Sequence, residues 1–307
     1  MIPKTSEVRI EVSTVCNAAC VFCPHKDMTR KRCIMSFEDF KFYLDKVLDE
    51  NENIEEITFS GFGEIFLDRN ILKKIEYAAV KGLVIHLLTN GFYLTQDKID
   101  KIYEIGIKDI RISLHTADAK NYNKIMGYYF LGDSSYSLVR SSLSYLMRRK
   151  PKNTDIIVTA DIVEENKDDV EDLIKAFKDE CYLEIWKPHN WVYGKKYREG
   201  KDELKTCGRP FNGPIEIQNN GDVVMCCFDY DGRMVLGNLK EKSLKEIYSG
   251  NIFKQILKHH KAGTCEGSEL ICSGCDQLNK KKDVLIYSNR GAEERVGKTS
   301  TALDKII

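Results

Sequence analysis

The residues best suited to chemistry in this chain of 307 residues are its eleven cysteines, which are unevenly distributed. Three crowd the first 25 residues, and the segment from 34 to 180 contains none. Because cysteines that only fill a core would be scattered, two groups at opposite ends of the chain predict two metal centres. The eleven are Cys16, Cys20, Cys23, Cys33, Cys181, Cys207, Cys226, Cys227, Cys265, Cys272 and Cys275.

The rest of the composition indicates that these thiols stay reduced. The chain has no apolar run near the ~20 residues of a membrane span and no signal-peptide core at its start. We therefore expect a cytoplasmic protein with no membrane partner, in which disulfides do not explain the cysteines. Lys and Arg total 47 and Asp and Glu total 47, which argues against a strongly basic nucleic-acid binder.

The first group, Cys16, Cys20 and Cys23, has the spacing C-x3-C-x2-C within one polar loop. Three thiolates from a single loop can bind three irons of a 4Fe–4S cube, which leaves the fourth iron open to a small molecule. A zinc ion is the alternative, because His25 lies two residues further on and could supply a fourth ligand. The three cysteines could also be unrelated to any metal.

This loop resembles the signature of the radical S-adenosylmethionine (SAM) superfamily, C-x3-C-x-aromatic-C, with Phe22 at the aromatic position. The resemblance implies that SAM chelates the open iron through its amino and carboxylate groups. It also implies that an electron from the cluster cleaves SAM into methionine and a 5′-deoxyadenosyl radical. A flavodoxin- or ferredoxin-type reductant is the partner that this chemistry requires.

Further segments resemble the SAM-binding elements of the family, each at the end of a predicted strand. Gly61-Phe-Gly-Glu64 is similar to the Gly-Gly-Glu element, which approaches SAM and accepts from its amino group, although Ile65 stands where many relatives have proline. Considered alone, these glycines would simply form tight turns. By resemblance, the candidate SAM contacts are Phe22, Gly61, Gly63, Glu64, Asn90, Ser113 and His115.

The second cysteine group resembles the twitch or SPASM extension of this superfamily, C-x(9–15)-G-x4-C followed by C-x2-C. Cys207 is separated from Gly221 by 13 residues, Cys226 follows, and Cys272 and Cys275 form the C-x2-C. The resemblance implies that these four thiolates bind one auxiliary 4Fe–4S cluster, because the longer cysteine run of the full SPASM form is missing. A structural zinc ribbon is the alternative.

The remaining cysteines leave this ligand set open. Cys265 precedes Cys272 by seven positions and could replace one auxiliary ligand, and Cys227 is also spare. Cys33 and Cys181 are expected to be ordinary small hydrophobic residues. The sequence therefore does not decide between Cys265 and the four cysteines of the motif.

Alternating strands and helices are predicted over the first 190 residues, and they must position the candidate SAM-binding residues. Short apolar strands are predicted at 8–13, 56–60, 84–88, 110–114, 156–162 and 182–186, with amphipathic helical segments between them. Such alternation implies parallel β/α units with right-handed crossovers. Six units fit and eight would not, so we expect a partial (β/α)6 TIM-like barrel that binds ligands at the carboxyl ends of its strands.

The pattern changes after about residue 195. Two short apolar segments flank Asn219-Asn220-Gly221 and predict a β-hairpin, and a capping box from Ser243 to Glu246 opens a helix. We therefore expect an α/β chain with a partial barrel, a small hairpin-and-helix iron–sulfur domain and a polar tail. Their expected bounds are 1–195, 196–285 and 286–307.

The last barrel strand ends in Trp-Lys-Pro-His-Asn-Trp. Analogy with the family puts this strand end beside the substrate. Lys187, His189 and Asn190, with Trp191, are therefore the candidate bases or orienting groups. His189 and Trp191 could equally pack the junction between the two domains.

Together these features predict a radical SAM oxidoreductase that acts on a small molecule. Hydrogen abstraction would leave a substrate radical, and an auxiliary cluster with four cysteine ligands would take the remaining electron. The first strand starts near residue 8, which leaves no room for a leader-peptide recognition domain. This form is most similar to the alcohol-oxidising deoxy-scyllo-inosamine dehydrogenase type, so we expect a sugar or cyclitol substrate.

Two alternatives remain open for the function. The enzymatic alternative is peptide modification by epimerisation, a thioether or a carbon–carbon crosslink. The alternative from another class is a non-catalytic zinc or cluster scaffold that binds a partner. Iron content and SAM cleavage would separate the scaffold from both enzymes.

Overall fold

A ten-stranded sheet organises the part of the chain that the computed structural model describes, residues 2–128, 134–191, 196–198, 204–278 and 284–291. The strands are β1 (Glu7–Glu11), β2 (Glu56–Ser60), β3 (Val84–Thr89), β4 (Asp109–Ser113), β5 (Asp155–Asp161), β6 (Tyr182–Trp186), β7 (Ile215–Ile217), β8 (Asp222–Val224), β9 (Val235–Asn238) and β10 (Leu285–Ser288). Their order across the sheet is β10-β6-β5-β4-β3-β2-β1-β7-β8-β9.

The first six strands form the expected partial barrel. They pair in parallel and in chain order, and each connection between them carries at least one helix. These helices are α1 (Phe37–Glu50), α2 (Ile71–Val80), α3 (Gln96–Ile105), α4 (Ala119–Met126), α5 (Ser134–Arg149) and α6 (Val170–Phe177). The predicted six-unit barrel is confirmed, and it does not close because β1 and β6 are not neighbours in the sheet.

The predicted hairpin extends this same sheet. β7 pairs in parallel with β1, and β8 and β9 continue antiparallel. In the turn between β7 and β8, Gly221 has a φ of +89°, and a Cβ there would lie 2.5 Å from the ring of Tyr43 in α1. Three further helices surround the hairpin, α7 (Arg209–Asn212), α8 (Leu244–Ile247) and α9 (Asn251–Ala262). Across the described ranges, none of the helices is long and apolar enough to cross a membrane.

The expectation of a polar tail over 286–307 is wrong at its beginning. Leu285–Ser288 form β10, which pairs antiparallel with β6. The buried Arg290 then places its guanidinium 3.2 Å from the carboxylate of Glu184 in β6. The polar composition of this segment therefore supplies a charge to the barrel instead of marking a loose end. Residues 292–307 of the expected tail lie outside the described residues.

Alternation along the strands separates an apolar outer face from a polar interior. In β1, Val8 and Ile10 are fully buried in the core, whereas the alternate residues Glu7, Arg9 and Glu11 face inward. The other strands likewise point polar side chains inward, including Thr58, His86, Arg111, Asp161 and Glu184. Branched apolar residues usually fill such barrels, so this interior is unusually rich in charge.

Charges near the amino ends of the strands are paired. His86 in β3 places Nδ1 2.7 Å from Asp109 in β4 and Nε2 3.5 Å from Glu56 in β2. Burial opposes charge on the imidazole, but the hydrogen bonds to Asp109 and Glu56 outweigh it and raise the pKa of His86 to about 9. A protonated His86 therefore joins three adjacent strands at neutral pH.

Replacing His86 by Gln should lower the stability of the protein in a pH-dependent way. The pKa of His86 is higher in the folded than in the unfolded protein. Its contribution to the free energy of unfolding is therefore complete below the unfolded-state pKa and is lost as pH rises through the folded-state pKa. The shift from 6.5 to about 9 corresponds to at most about 3 kcal/mol. The difference in Tm between wild type and His86→Gln, measured anaerobically, should be largest near about pH 6 and small above about pH 9.

The control is His259→Gln, which changes a histidine near the end of α9, away from the barrel interior. Its effect on Tm should be small at every pH. A Tm difference for His86→Gln that does not vary with pH would contradict an ionic role for this histidine.

Candidate active site

The first cysteine loop follows β1, and backbone hydrogen bonds hold it in place. The N–H of Met35 donates to the carbonyl of Val12 (2.9 Å), so the chain returns beside its own starting point. Within the loop, the N–H of Ala19 donates to the carbonyl of Met126 (3.0 Å), at the end of α4. These contacts hold residues 16–23 over the carboxyl ends of the barrel strands.

The three thiols of this loop lie within one another's electrostatic range. Burial raises the pKa of Cys16 to about 11 and that of Cys23 to about 12. Burial also raises the pKa of Cys20, and the neighbouring Cys23 and Cys16 add to this effect. Thiols in this setting become thiolates when a cationic metal centre binds them. The donor set therefore fits a cluster bound by three cysteines.

The arrangement supports a cluster better than a single zinc ion. Within the described ranges, no three His, Cys, Asp or Glu side chains are grouped as the ligands of one metal ion would be. The ligands of an iron–sulfur cube bind separate irons, so they do not need to meet at one point. His25, the fourth ligand of the zinc alternative, instead directs Nε2 to the carbonyl oxygen of Thr14 (2.8 Å).

The glycines after β2 allow that loop to pack directly on the cysteine loop. A Cβ at Gly63 would lie 2.5 Å from the carbonyl oxygen of Val15 and 2.6 Å from that of Ser13. Gly61 has a φ of +142°, and a Cβ there would lie 2.5 Å from Cγ of Glu11. Glycine at both positions is therefore a steric requirement of this chain, beyond its resemblance to a family motif.

Glu64 joins the ends of β2 and β3 above the first cysteine. Its buried carboxylate accepts from the hydroxyl of Thr89 (2.5 Å) and from the N–H of Asn90 (2.7 Å). Burial raises the pKa of Glu64, and these hydrogen bonds act in the opposite direction. The amide of Asn90 donates to Asn17 (2.9 Å) and lies 4.0 Å from the sulfur of Cys16. Both residues therefore position the loop, and their direct contacts with SAM stay predictions.

His115 and Phe22 connect the cysteine loop to the ends of β4 and β5. Their ring centroids are 4.7 Å apart, and His115 has a left-handed φ of +64°. Its Nδ1 accepts the N–H of Asp161 (2.9 Å). Burial lowers the pKa of His115 to about 3, so its ring is neutral and carries its proton on Nε2. Ser113 ends β4 two residues earlier, and its contact with SAM also stays a prediction.

A cavity of about 420 Å³ occupies the carboxyl half of the barrel interior. Its wall joins the end of β5, at Asp161, to His189 after β6 and to Cys207 of the second cysteine group. The charged side chains of its wall are Arg9, Arg111, Asp161, Glu184, Arg198 and Arg209. A cavity of this size and polarity suits a small hydrophilic molecule.

The sequence interpretation missed the charged wall of this cavity. Arg111 lies 3.2 Å from Glu184, and Arg9 lies 2.7 Å from Glu7. The signal was present in the alternation of Glu-Val-Arg-Ile-Glu in β1 and Asp-Ile-Arg-Ile-Ser in β4. A charged residue at every second position of a barrel strand indicates a polar interior.

Asp161, which the sequence did not indicate as a site residue, has a carboxylate that can bind a ligand in the cavity. Burial raises its pKa to about 6, and the nearby Arg198 opposes this shift. Its backbone is held by His115, but no described residue donates a hydrogen bond to its carboxylate. The carboxylate therefore remains available to a ligand in the cavity.

Two of the three predicted catalytic residues do not face this cavity. The side chain of Lys187 is exposed, and its carbonyl accepts from Nε of Arg198 (2.9 Å). The side chain of Asn190 accepts from the N–H of Tyr197 (2.6 Å) and donates to the carbonyl of Arg198 (2.6 Å). Both residues close the loop after β6, and a catalytic role for them stays a prediction. His189 does line the cavity.

His189 and Trp191 also pack against the hairpin, as the alternative interpretation held. The ring of Phe62 lies 5.1 Å from Trp191 and 4.8 Å from Tyr230, and His189 lies 4.6 Å from Phe228. These rings surround a second cavity of about 220 Å³ between the loop after β2 and the hairpin. The junction therefore joins the candidate SAM loop to the auxiliary cysteines through aromatic contacts.

The second cysteine group gathers sulfurs from separate segments of the chain. Cys207, Cys265 and Leu278 form a buried cluster, and Cys272 packs against it. Burial raises the pKa of Cys272, and the neighbouring Cys207, Cys275 and Cys265 add to this effect in decreasing order. Three of the four predicted ligands, Cys207, Cys272 and Cys275, are thus accompanied by Cys265, the cysteine that the sequence left undecided.

The partly buried guanidinium of Arg209 balances charge at this second site. It lies 3.1 Å from Glu216 of β7. Burial acts against its charge, but Cys227, Cys226 and Glu216 outweigh burial and raise the pKa of Arg209. Cys226 also accepts a weak hydrogen bond from the N–H of Phe228 (3.5 Å). The site can therefore hold several thiolates close together inside the protein.

Gly63→Ala should damage the first cysteine site because the added methyl group would meet two backbone carbonyl oxygens that cannot rotate away. We expect iron to fall from about eight per chain toward about four and SAM cleavage to fall at least about tenfold, as a displaced ligand loop implies. The measurements are iron content and SAM cleavage after anaerobic reconstitution.

The matched control is Gly106→Ala. Gly106 also has a positive φ, +87°, but a Cβ there would meet nothing within 4 Å. This variant should lose about 1–2 kcal/mol of stability and keep its iron. Full iron and normal SAM cleavage in Gly63→Ala would show that the close approach is unimportant.

Comparisons with known proteins agree with this geometry. The family model of the radical SAM superfamily matches residues 10–177, and that of an iron–sulfur cluster-binding domain, SPASM, matches residues 207–276. S-adenosyl-L-methionine-dependent 2-deoxy-scyllo-inosamine dehydrogenase from Niallia circulans is 23% identical over 278 residues, which cover 89% of this chain and 94% of that protein. A FeMo cofactor biosynthesis protein, NifB, from Methanocaldococcus jannaschii is 23% identical over 59% of this chain and 66% of its own length.

Solved structures show the same fold. BtrN in complex with AdoMet and 2-DOIA superposes with a TM-score of 0.61 at 18% identity, covering 93% of this chain and all of that chain. Histidine-tagged anSMEcpe with bound AdoMet gives 0.67 at 17% identity, covering 92% of each chain. Streptococcus suis SuiB bound to the precursor peptide SuiA gives 0.66 at 13% identity, covering 90% of this chain and 70% of that chain.

These matches explain why the two cysteine groups lie where they do. The cofactors are a 4Fe–4S cluster with SAM at the first group and auxiliary iron–sulfur at the second. Because the first family model spans more than half of the chain and includes the whole of the first cysteine loop, the protein belongs to the radical SAM superfamily.

Proposed function

We propose that this enzyme oxidises a hydroxyl group of a small polar molecule, such as a sugar or cyclitol, to a ketone. The observation that carries the proposal is the cavity of about 420 Å³, whose wall includes both Asp161, beside the first cysteine loop, and Cys207 of the auxiliary site. A substrate in this cavity would be within reach of both centres.

The cavity wall supports a small hydrophilic substrate. Its volume lies within the range of about 300–1,000 Å³ that is typical of small-molecule sites. Arg111 and Glu184 pair across the cavity wall at 3.2 Å, and each keeps further hydrogen-bonding capacity toward a ligand. Such alternating donors and acceptors match the hydroxyl groups of a sugar or cyclitol ring.

The side chains that line the cavity would have separate roles in the oxidation. When bound, SAM and its cluster supply a radical that removes a hydrogen atom from the substrate carbon, and the auxiliary cluster accepts the electron that remains. Asp161 would accept the hydroxyl proton, while Arg198 keeps part of the Asp161 population ionised near neutral pH. The neutral ring of His115 holds the backbone of Asp161 in place. A flavodoxin- or ferredoxin-type protein would supply the initiating electron.

The comparisons favour an alcohol oxidation but leave a second candidate. The dehydrogenase from Niallia circulans aligns with nearly its full length. SuiB, whose structure was determined with a precursor peptide, has a similar fold. Peptide modification is therefore the alternative, and it would require part of a peptide to enter the barrel cavity.

A substrate screen should identify an oxidised product. Candidate cyclitols and aminocyclitols, including 2-deoxy-scyllo-inosamine, are supplied with deuterium at the carbinol carbon to the reconstituted enzyme. We expect deuterium in 5′-deoxyadenosine and a product that is lighter by one hydrogen and one deuterium, without new carbon connectivity. Deuterium transfer from peptides, together with epimerised or crosslinked peptide, would instead establish the alternative.

Asp161→Asn should separate hydrogen abstraction from product formation. We expect at least about a tenfold loss of product, with deuterium transfer to 5′-deoxyadenosine retained. In the wild type, the rate should rise with pH through about 6, the raised pKa of Asp161, because only the ionised carboxylate accepts a proton. The variant should lack this rise.

The control is Asp155→Asn, the same change at the opposite end of β5, where Asp155 pairs with the exposed Lys108 at 3.1 Å. It should retain product formation and the pH profile of the wild type. A wild-type pH profile in Asp161→Asn would exclude Asp161 as the proton acceptor.

A further inference from the structure

The auxiliary site contains more sulfur than one cluster needs. A cube with a complete protein shell takes four cysteines, and the twitch-like motif supplies Cys207, Cys226, Cys272 and Cys275. Cys265 is nevertheless 3% exposed and packs in the same buried group as Cys207 and Cys272. A fifth thiol therefore lies against the ligand shell.

Hydrogen bonds hold this fifth thiol beside Cys207. The segment before Cys207 is tied to α9, because Thr206 Oγ1 lies 2.8 Å from Nδ1 of His260. Cys265 follows the end of α9, where the N–H of Thr264 donates to the carbonyl of His259 (3.0 Å). The two cysteines are thus positioned by one connected set of contacts.

The other spare cysteines have different surroundings. The sulfur of Cys33 accepts from the amide of Asn219 (3.0 Å), at the junction of the hairpin with the first loop. Cys227 lines the smaller aromatic cavity, and its side chain contacts that of its neighbour Cys226. Cys181 lies beside β10, where its carbonyl accepts from Asn289 (2.9 Å). Cys265 differs from these three because it packs with Cys207, the ligand that borders the larger cavity.

We propose that Cys265 is a reserve ligand of the auxiliary cluster and that it binds the iron of Cys207 whenever the Cys207 sulfur is absent or released. In the exchange, the bond between iron and the Cys207 sulfur breaks as that sulfur takes up a proton. The Cys265 thiol loses its proton and forms the new bond, so no electron is gained or lost. The cluster would then survive displacement of the ligand nearest to the substrate cavity.

The test measures cluster content in the full-length protein and needs no substrate. Iron and sulfide per chain and the EPR spectrum are recorded after anaerobic reconstitution of Cys207→Ala, Cys265→Ala and the double variant. We expect about eight irons in each single variant and about four in the double variant. Cys181→Ala, which removes a cysteine elsewhere in the fold, should keep about eight.

The proposal is overturned if Cys207→Ala alone falls to about four irons while Cys265→Ala is normal, or if the double variant keeps both clusters. Should Cys207→Ala be insoluble, the near-isosteric Cys207→Ser is used. A wild-type EPR spectrum in that variant supports replacement by Cys265, whereas an altered spectrum or lost cluster contradicts it. None of these results depends on the identity of the substrate.

Discussion

Burial of charge inside the barrel is the constraint on which the rest of this structure depends. Removing a charged side chain from water is costly unless an opposite charge and hydrogen bonds compensate. At the amino ends of the strands, carboxylates on two neighbouring strands compensate the charge of His86. At the carboxyl ends such compensation is incomplete, because Asp161 faces the cavity without a described hydrogen-bond donor. The charges at the amino ends of the strands therefore stabilise the sheet, whereas Asp161 at the carboxyl ends remains able to bind a ligand.

The position of β1 connects the two cysteine sites. This strand pairs with β2 of the barrel on one side and with β7 of the hairpin on the other. Arg30, which follows the first cysteine group, joins the hairpin segment to β1. Its guanidinium donates to the carbonyl of Tyr230 (2.6 Å) and pairs with Glu11 (2.8 Å). Asp231 accepts from the N–H of Thr29 (2.6 Å). The hairpin that carries Cys226 is thus fixed to the loop that carries Cys16, Cys20 and Cys23.

Much of this architecture was predictable from the sequence because it depends on local patterns. Strand and helix periodicity predicted six β/α units, and cysteine spacing predicted both cluster sites. The sequence is less informative where distant contacts decide the outcome. Lys187 and Asn190 follow a barrel strand, as catalytic residues often do, yet the backbone carbonyl of Lys187 and the side chain of Asn190 hydrogen-bond to Arg198. Cys265 stands outside the spaced motif, so only packing brings it to Cys207.

The charged interior was missed for a related reason. Alternation in β1 identifies a strand with two faces, but only the curvature of the assembled sheet shows which face is inside. The strand β10 was missed because it has only four residues and lies between polar segments, and pairing with β6 stabilises it.

The contact between Arg290 and Glu184 has a consequence for how the protein is made. Glu184 pairs with Arg111 of β4, but its second cation, Arg290, is synthesised more than a hundred residues after Glu184. During translation the barrel must therefore remain short of one internal cation until its late partner leaves the ribosome. The interior of the barrel therefore completes its ion pairs only after this segment has been synthesised.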